Sequence, residues 1–381
     1  MPWESKTVEK LREEFVAAAE STNNFSSLCR EFGITRKTGY KWLERFEKGY
    51  GLKDRSKKPK IIANKTSVEI EKIILDLRTE NPGWGAKTIK RVLENDGYKN
   101  IPCVKTVNNI LDRNGYILKE ESEKRHKYIS FQREHCNELW QTDFKGDFEL
   151  NNSTRCFPLD IIDDCSRYLI KIVPSTSTKN VVIPAFESAF SEYGMPLAVL
   201  SDNGSQFAGF KQGYTQFEKW LMCFDILPIH CRIKHPQTQG KIERFHRTLK
   251  DELLKHKSFD NIEQANENIQ AWREKYNNIR PHESLNMLTP SDVYVKSNRH
   301  YTGIIKPYEY SGDYPVLKVN CKGYISFEFQ RLYFSETFIG EYIEFRPNPL
   351  GDSFYACFRN FRIAEFDSIS GKRINRSIYR L

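Results

Sequence analysis

HPQTQGKIERFHRTLKDEL, residues 235–253, is a polar loop that runs into a helix. Glu243 stands near the helix start. Glu243, Arg247 and Lys250 follow at i, i+4 and i+7 and so share one helix face, with His246 one position off it. A surface Glu–Arg pair at this spacing is worth only a few tenths of a kcal/mol. The same order also suits a carboxylate that grips a cation, followed along one face by two positive charges that hold phosphates. Lys241 and Arg244 add two more cations to the motif.

The residues upstream decide between these readings. ELWQTDFKGDFEL (138–150), RCFPLDII (155–162) and YLIKIV (168–173) are short β-rich runs separated by turn residues. A helix over KNVVIPAFESAFSEYG (179–194), a strand over PLAVLSD (196–202), a helix around TQFEKWLMCF (215–224), a strand over ILPIHCRI (226–233) and helices over 240–257 and 261–278 come next. The order β-β-β-α-β-α-β-α predicts a mixed sheet with helices on its faces. Asp143 lies inside the first strand, and Asp202 lies where a buried-type strand ends in a Gly-containing turn, the end at which α/β sheets gather ligands. Carboxylates brought together are costly unless cations neutralise them. Two Asp and one Glu suit Mg²⁺ or Mn²⁺, and a pair of such ions can stabilise both the attacking and the leaving oxygen of a phosphodiester. Asp160, Asp163 and Asp164 form a rival acidic group, read as a hairpin turn and capping network.

The first third is helical. VEKLREEFVAAA (8–19) and FSSLCREF (25–32), the latter capped by Asn24 and ended by Gly33, precede RKTGYKWLERF (36–46), capped by Thr35. This is a helix-turn-helix. Gly39, Leu43 and Phe46, with Trp42 beside them, are expected to face inward. Arg36, Lys37, Tyr40 and Lys41 take the opposite face, where Arg and Lys can read guanine edges and phosphates. GLKDRSKKPKIIANK (51–65) is a linker with six Lys/Arg; Lys57 and Lys58 in it can follow a phosphate backbone. A second unit spans 66–118, with helices in 67–82, 85–95 and 103–115 and Pro102 in a first helical turn. Val104, Val107 and Leu111 point inward, and Lys105, Asn108, Asn109 and Asp112 point outward; Asn can bind adenine in bidentate fashion.

W-x-x-D-F around Asp143, S-D-N-G-x-x-F around Asp202 and H-P-Q-x-Q-G-K-x-E-R-x-H-R-T-L-K around Glu243 together resemble the Asp-Asp-Glu transposases of bacterial insertion sequences, which share the retroviral-integrase catalytic core. YNNIRPHESLNMLTP (276–290) resembles the segment that follows the catalytic helix in that family. The resemblance implies an RNase-H-like fold over 128–298 with Asp143, Asp202 and Glu243 as its catalytic and metal-binding triad. Asp143 bridges two ions, Asp202 completes one site and Glu243 the other. It implies a transposase that binds the terminal inverted repeats of its element and acts as a polynucleotidyl transferase and endonuclease: water hydrolyses a phosphodiester, and the freed 3′-hydroxyl attacks target DNA. It also implies double-stranded DNA as partner and a homodimer or higher oligomer, in a bacterial, nucleoid-associated cytoplasmic setting. Forty residues separate Asp202 from Glu243, a wider gap than in the viral enzymes, and the excess falls in FAGFKQGYTQF (207–217). The viral N-terminal His-His-Cys-Cys zinc module is not expected, because the first histidine is His126; His126, His135 and Cys136 read as unligated.

PVLKVNCKGYISFEFQRLYFS (315–335), GEYIEFRPNP (340–349) and SFYACFRNFRIAEFD (353–367) are aromatic-rich strands that suggest a small all-β barrel over 312–381. Arg359, Arg362, Arg373, Arg376 and Arg380 concentrate in it. It can be a packing module against the core or a DNA-contacting or subunit-bridging one. The whole chain has 381 residues, 59 Lys+Arg against 50 Asp+Glu, and nine cysteines. At roughly 100–200 residues per domain this is a multidomain protein. Residues 1–127 hold 27 Lys+Arg and 19 Asp+Glu, residues 128–298 hold 20 and 22, and residues 299–381 hold 12 and 9: two basic ends flank a slightly acidic middle, as a polyanion binder with a carboxylate site requires. No apolar run approaches the ~18 residues of a membrane span, and the charged start is not a secretory signal. An odd cysteine count without CxxC points to reduced thiols. Two rivals make different predictions. A DNA-binding regulator with an inert core would bind without cleaving, and a structure-specific nuclease would cleave without joining.

Overall fold

The computed structural model describes residues 7–54, 66–117, 132–209, 213–231, 240–349, 351–376 and 378–381. The chain forms two compact units, Met1–Lys65 and Thr66–Leu381.

In the first unit α1 (Val8–Ser21), α2 (Phe25–Glu31) and α3 (Arg36–Glu47) enclose Phe15, Val16, Leu28, Cys29 and Trp42. Polar side chains start the helices. Asn24 Oδ1 accepts from Ser27 N at 3.1 Å, and Thr35 Oγ1 accepts from Thr38 N at 3.2 Å. Gly33, with φ of +63°, turns the chain between α2 and α3. Gly39 is required by closeness: a Cβ there would stand 2.9 Å from both Cys29 Sγ and Phe15 Cζ. One expectation for α3 changes. Phe46 is 48% exposed rather than inward. The place is taken by Trp42, which is buried, with the Arg12 guanidinium 3.8 Å and the Arg45 guanidinium 4.6 Å from its ring. The space beside Gly39 is filled by Cys29, Phe15 and Phe25. Lys57 and Lys58 lie outside the described residues.

The second unit opens with α4 (Val68–Glu80), α5 (Ala86–Asn95) and α6 (Val104–Arg113) around Ile74, Trp84, Ile89, Leu93, Val107 and Leu111. The cap of α6 is Cys103, so Pro102 precedes the helix instead of sitting in its first turn. This bundle rests on residues 252–283: Lys275 donates to Asn81 Oδ1 at 3.0 Å, Lys87 pairs with Glu283, and Gly83 gives the Glu252 side chain room that a Cβ would block.

The core sheet contains β1 (Leu139–Phe144), β4 (Leu159–Asp163), β5 (Leu169–Val173), β6 (Ala198–Ser201) and β7 (Leu227–His230) in the order β5-β4-β1-β6-β7; β2 (Phe148–Glu149) and β3 (Arg155–Cys156) form a separate hairpin. β5, β4 and β1 run antiparallel to their neighbours, and β6 and β7 continue parallel. Period-2 alternation sends successive residues to opposite layers. Trp140, Leu159 and Ile161 pack with α7 (Val182–Tyr193) and α8 (Gln216–Cys223). Ile162, Leu169 and Ile172 pack with α9 (Gly240–Leu249) and α10 (Ile262–Asn278). A short α11 (Pro290–Val293) comes after α10. The expected β-β-β-α-β-α-β-α frame is present. Gln141 and Asp143 of β1 share the α9 face with Asp160 and Ile162, their opposite numbers on β4.

The last strands are β8 (Val316–Lys318), β9 (Tyr324–Phe327), β10 (Gln330–Tyr333), β11 (Tyr342–Pro347), β12 (Ser353–Phe358), β13 (Phe361–Asp367), β14 (Arg373–Asn375) and β15 (Tyr379–Arg380). The C-terminal part is β-rich as expected, but the pairing is an open path, β14-β13-β12-β11-β8 with β15 on β13, while β9 and β10 form their own hairpin. That hairpin brings Ile325 and Leu332 onto a layer of phenylalanines that includes Phe334, Phe345, Phe354 and Phe366. Covering one face in this way buries the aromatic layer without joining the two edge strands.

The last arginines are spent on the core. Arg376 donates to Glu218 at 3.0 Å and to the Gly209 carbonyl at 2.9 Å, Arg359 donates to the Cys223 carbonyl, and Arg380 pairs with Asp225. Tyr214, within the segment that widens the gap between Asp202 and Glu243, inserts into the phenylalanine layer and donates to the Ile363 carbonyl at 2.5 Å. The β-rich part therefore packs against α8 and its flanking residues. Among the described residues, no helix is long and apolar enough to cross a membrane.

Candidate active site

Asp143 comes to the site because it ends a buried strand. Its Oδ1 accepts the N–H of Phe144 at 2.8 Å. Burial is the main force on its carboxyl; His246 opposes it, and Asp202 and Asp160 add to it, so the group is pushed up to about 7. Asp202 follows β6 in a tight turn in which its Oδ1 accepts from Gly204 N at 2.8 Å; a Cβ on Gly204 would stand 2.9 Å from that oxygen. Glu243 lies exposed in the first turn of α9. β1 and β6 are parallel neighbours, so Asp143 near the end of β1 and Asp202 just after β6 lie at the same end of the sheet, and α9, which bears Glu243, packs on the face that Asp143 shares; burial, with the three acids adding to it, pushes the Cys231 thiol up to about 11. The fold thus carries the three carboxylates to the same end of the sheet. Among the described residues, no three His, Cys, Asp or Glu side chains are gathered tightly enough to grip an ion as they stand. Residues 232–239, immediately before α9, are outside the described set.

The acidic turn divides. Asp163 and Asp164 behave as turn and capping residues: Asp163 accepts from Ser166 N and Oγ and from Asn137 N, and Asp164 accepts from Arg133 N and Gln141 Nε2. Asp160 does not belong with them. It is fully buried in β4, directly opposite Asp143, and its Oδ2 lies 2.5 Å from His246 Nε2. Its Oδ1 has no hydrogen-bond partner. Burial alone would lower the His246 imidazole, but the neighbouring Asp160 carboxylate outweighs it and holds the ring above its ordinary range. A visible signal for Asp160 was available: an acid in the middle of the apolar run PLDII.

A second network reaches Asp202 from behind. Ser201 Oγ is 3.1 Å from His230 Nδ1, His230 Nε2 is 2.9 Å from Glu218 Oε1, and Glu218 also receives Arg376. Glu218 is completely buried and closes the capping box of α8 with Thr215. Ser201 is buried as well, so this chain of contacts holds the end of β6 in place and offers no nucleophile.

Of the residues expected to meet DNA, Arg36, Lys37, Tyr40 and Lys41 are exposed on α3, with the Tyr40 ring 4.4 Å from that of Phe25. Lys105, Asn108 and Asn109 are exposed on α6, and Arg244, Arg247 and Lys250 are exposed along the Glu243 helix. Lys250 opens a π-helical turn that continues α9. Lys241 is a correction: its Nζ lies 2.5 Å from Asp164 Oδ1, and burial pulls its ammonium down to about 8. It is an internal counter-ion of the acidic turn. A cavity of about 630 Å³ lined by His135, Cys136 and Cys165 lies at the other end of the sheet, by the starts of β1 and β6.

Comparison with known families agrees with this frame. Residues 133–236 and 225–290 match models of the integrase core domain, residues 11–60 match a helix-turn-helix domain, and residues 38–111 match a homeodomain-like domain. The chain is 30% identical over 161 residues to the uncharacterized 31.7 kDa protein of insertion element IS407 from Burkholderia multivorans, covering 42% of this chain and 56% of that one. It is 31% identical over 156 residues to the uncharacterized 39.2 kDa protein of insertion element IS476 from Xanthomonas euvesicatoria, covering 41% and 43%. The chain thus spans about half the length of these curated relatives. Among solved structures, the HTLV-2 integrase catalytic core domain in complex with magnesium is similar at 18% identity and a TM-score of 0.33, covering 42% of this chain and 97% of that one. Residues 133–290 of the chain thus match an integrase core and residues 11–111 helix-turn-helix and homeodomain-like domains, and the chain is similar to proteins of bacterial insertion elements.

Proposed function

We propose that this protein is a DNA transposase that binds the terminal inverted repeats of its element, cuts the DNA at its ends and joins it to a target. The observation that carries the reading is the placement of Asp143 and Asp202 at the same ends of the parallel neighbours β1 and β6, with α9, which bears Glu243, packed on the sheet face that Asp143 shares. Asp143 and Asp202 would hold Mg²⁺ or Mn²⁺ with Glu243, since buried carboxylate oxygens are hard donors that need a positive partner. When bound, a pair of such ions supplies charge stabilisation for the attacking and leaving oxygens of a phosphodiester.

The chain's own residues do the rest. Arg36, Lys37, Tyr40 and Lys41 on α3 enter the major groove of the terminal repeat, and the exposed face of α6 makes a second contact through Lys105, Asn108 and Asn109. Lys57 and Lys58 follow the phosphates between the modules. Arg244, Arg247 and Lys250 align the DNA backbone along the helix that bears Glu243. The modules are 1–50, 66–118, 128–298 and 312–381, joined by the basic linker 51–65. The last of them steadies the core and leaves DNA contact to the others. Two ends must be joined in step, so the active form is a dimer or larger, working at the bacterial nucleoid.

The test is strand transfer on a labelled terminal-repeat duplex with Mg²⁺. Wild-type protein is expected to yield joined products, and Asp202→Asn and Glu243→Gln to yield none. Full activity in Asp202→Asn would sink the assignment. Repeat-specific binding with no metal-dependent cleavage would identify a regulator, and cleavage without joining a nuclease.

A further inference from the structure

We propose that Asp160 and His246 are positioning residues that clamp the helix bearing Glu243 onto the strand bearing Asp143 and so set the metal affinity of the site. This rests on the metal-dependent reading above. β1 and β4 pair antiparallel with Asp143 opposite Asp160, so the two carboxylates lie on the same face of the sheet, the face that α9 covers. His246 comes from α9, three residues after Glu243, and closes onto Asp160 at 2.5 Å. It is the side-chain bond from α9 to β4, made one strand away from Asp143.

The burial of Asp160 is otherwise hard to account for. An acid with no exposed surface in the middle of a sheet is retained at a cost of several kcal/mol unless it is paired, and here the pairing is to the helix that carries the third acid. Its second oxygen, Oδ1, is buried without a hydrogen-bond partner among the described residues. The side chain is therefore held by His246, which makes the histidine, with Lys241 on Asp164, one of the two polar ties that fix where α9 sits. Around the pair, Ile242, Phe245 and Leu249 supply apolar contacts on the same helix. Such contacts hold α9 down, but they leave rotation about its axis weakly defined. The His246–Asp160 bond, together with the Lys241–Asp164 contact at the start of the helix, fixes the rotation, and with it the direction in which Glu243 leaves the helix. Outer partners of this kind typically change metal affinity 10–100-fold when removed.

The test uses Mn²⁺ as the probe and the full-length chain without DNA. Free Mn²⁺ is followed by electron paramagnetic resonance during titration of wild type, His246→Leu, His246→Gln and Asp143→Asn. Leu fills the imidazole space without a donor, and Gln keeps a donor of similar reach. His246→Leu is expected to bind Mn²⁺ about tenfold more weakly and His246→Gln within about threefold of wild type. Loss of packing alone would lower the melting temperature of both variants without separating their Mn²⁺ affinities. Should His246→Leu not fold, Asp160→Asn against Asp160→Ala makes the same comparison from the other side, since the amide oxygen still accepts from the imidazole. Equal affinities for wild type and His246→Leu, with Asp143→Asn not binding, would overturn the clamp and leave the metal site standing. Wild-type affinity in Asp143→Asn would overturn both.

Discussion

Asp143 stores a cost that a single atom can release. Its carboxyl ordinarily titrates near 3.8 and is pushed up to about 7, by burial first, with Asp202 and Asp160 adding to it. At 1.36 kcal/mol per pH unit the difference is about 4 kcal/mol, and partial access of water reduces it to about 2–4 kcal/mol. The sign follows from proton binding. Between about pH 4 and 7 the folded protein holds a proton that the unfolded chain has lost, so stability falls as pH rises through that window and then levels off. Asp143→Asn removes the charge and keeps an oxygen for the Phe144 N–H. In chelator at pH 8 the variant should therefore be the more stable protein, by about 2–4 kcal/mol. At pH 5.5 roughly half of the advantage should be gone. Urea melts of both proteins at the two pH values measure this. Adding Mn²⁺ should then stabilise wild type and leave the variant unmoved, because binding to the folded state alone raises stability by mass action. A variant less stable than wild type at pH 8 in chelator would refute the reasoning, as would a gap that is the same at both pH values.

Arg376→Ala should cost about 3 kcal/mol in a urea melt, because it strips the completely buried Glu218 of a charged partner; Arg376→Met with Glu218→Met should recover most of that loss. Gly39→Val should disrupt the first helical unit by about 1–3 kcal/mol, since its Cβ has no space beside Cys29 and Phe15, and gel-shift binding to the terminal repeat should fall with it. Arg36→Ala and Lys41→Ala should each weaken that binding and flatten its salt dependence, by about 0.9 in log–log slope per phosphate no longer neutralised. Lys241→Ala should leave the salt slope unchanged and lower the melting temperature, because its ammonium serves Asp164.

What the sequence revealed and what it hid depend on how local each signal is. Strand and helix order in the core was legible because burial on both sheet faces writes long apolar runs between turn residues, and caps such as Asn24 and Thr35 act within three residues of themselves. Phe46 misled because helical spacing does not say which of Trp42 and Phe46 is buried; the Arg12 and Arg45 guanidiniums lie over the buried Trp42 ring, and Phe46 stays exposed. Lys241 and the late arginines show a longer-range limit. A basic residue looks the same whether its partner is a phosphate or a carboxylate far away in sequence, and Asp164, Glu218 and Asp225 turned out to be those carboxylates. The charge asymmetry that suggests a polyanion partner is thus partly used up inside the fold. Among the described residues, the cations proposed for DNA on α3, α6 and the outer face of α9 stay exposed. Asp160 marks the same limit from the acidic side. Three Asp within five residues read as one turn, yet strand alternation and a register with β1 put one of them against the helix that bears Glu243 and the other two at the corner. A residue's chemistry is local, but the partner that gives it a role is chosen by the sheet.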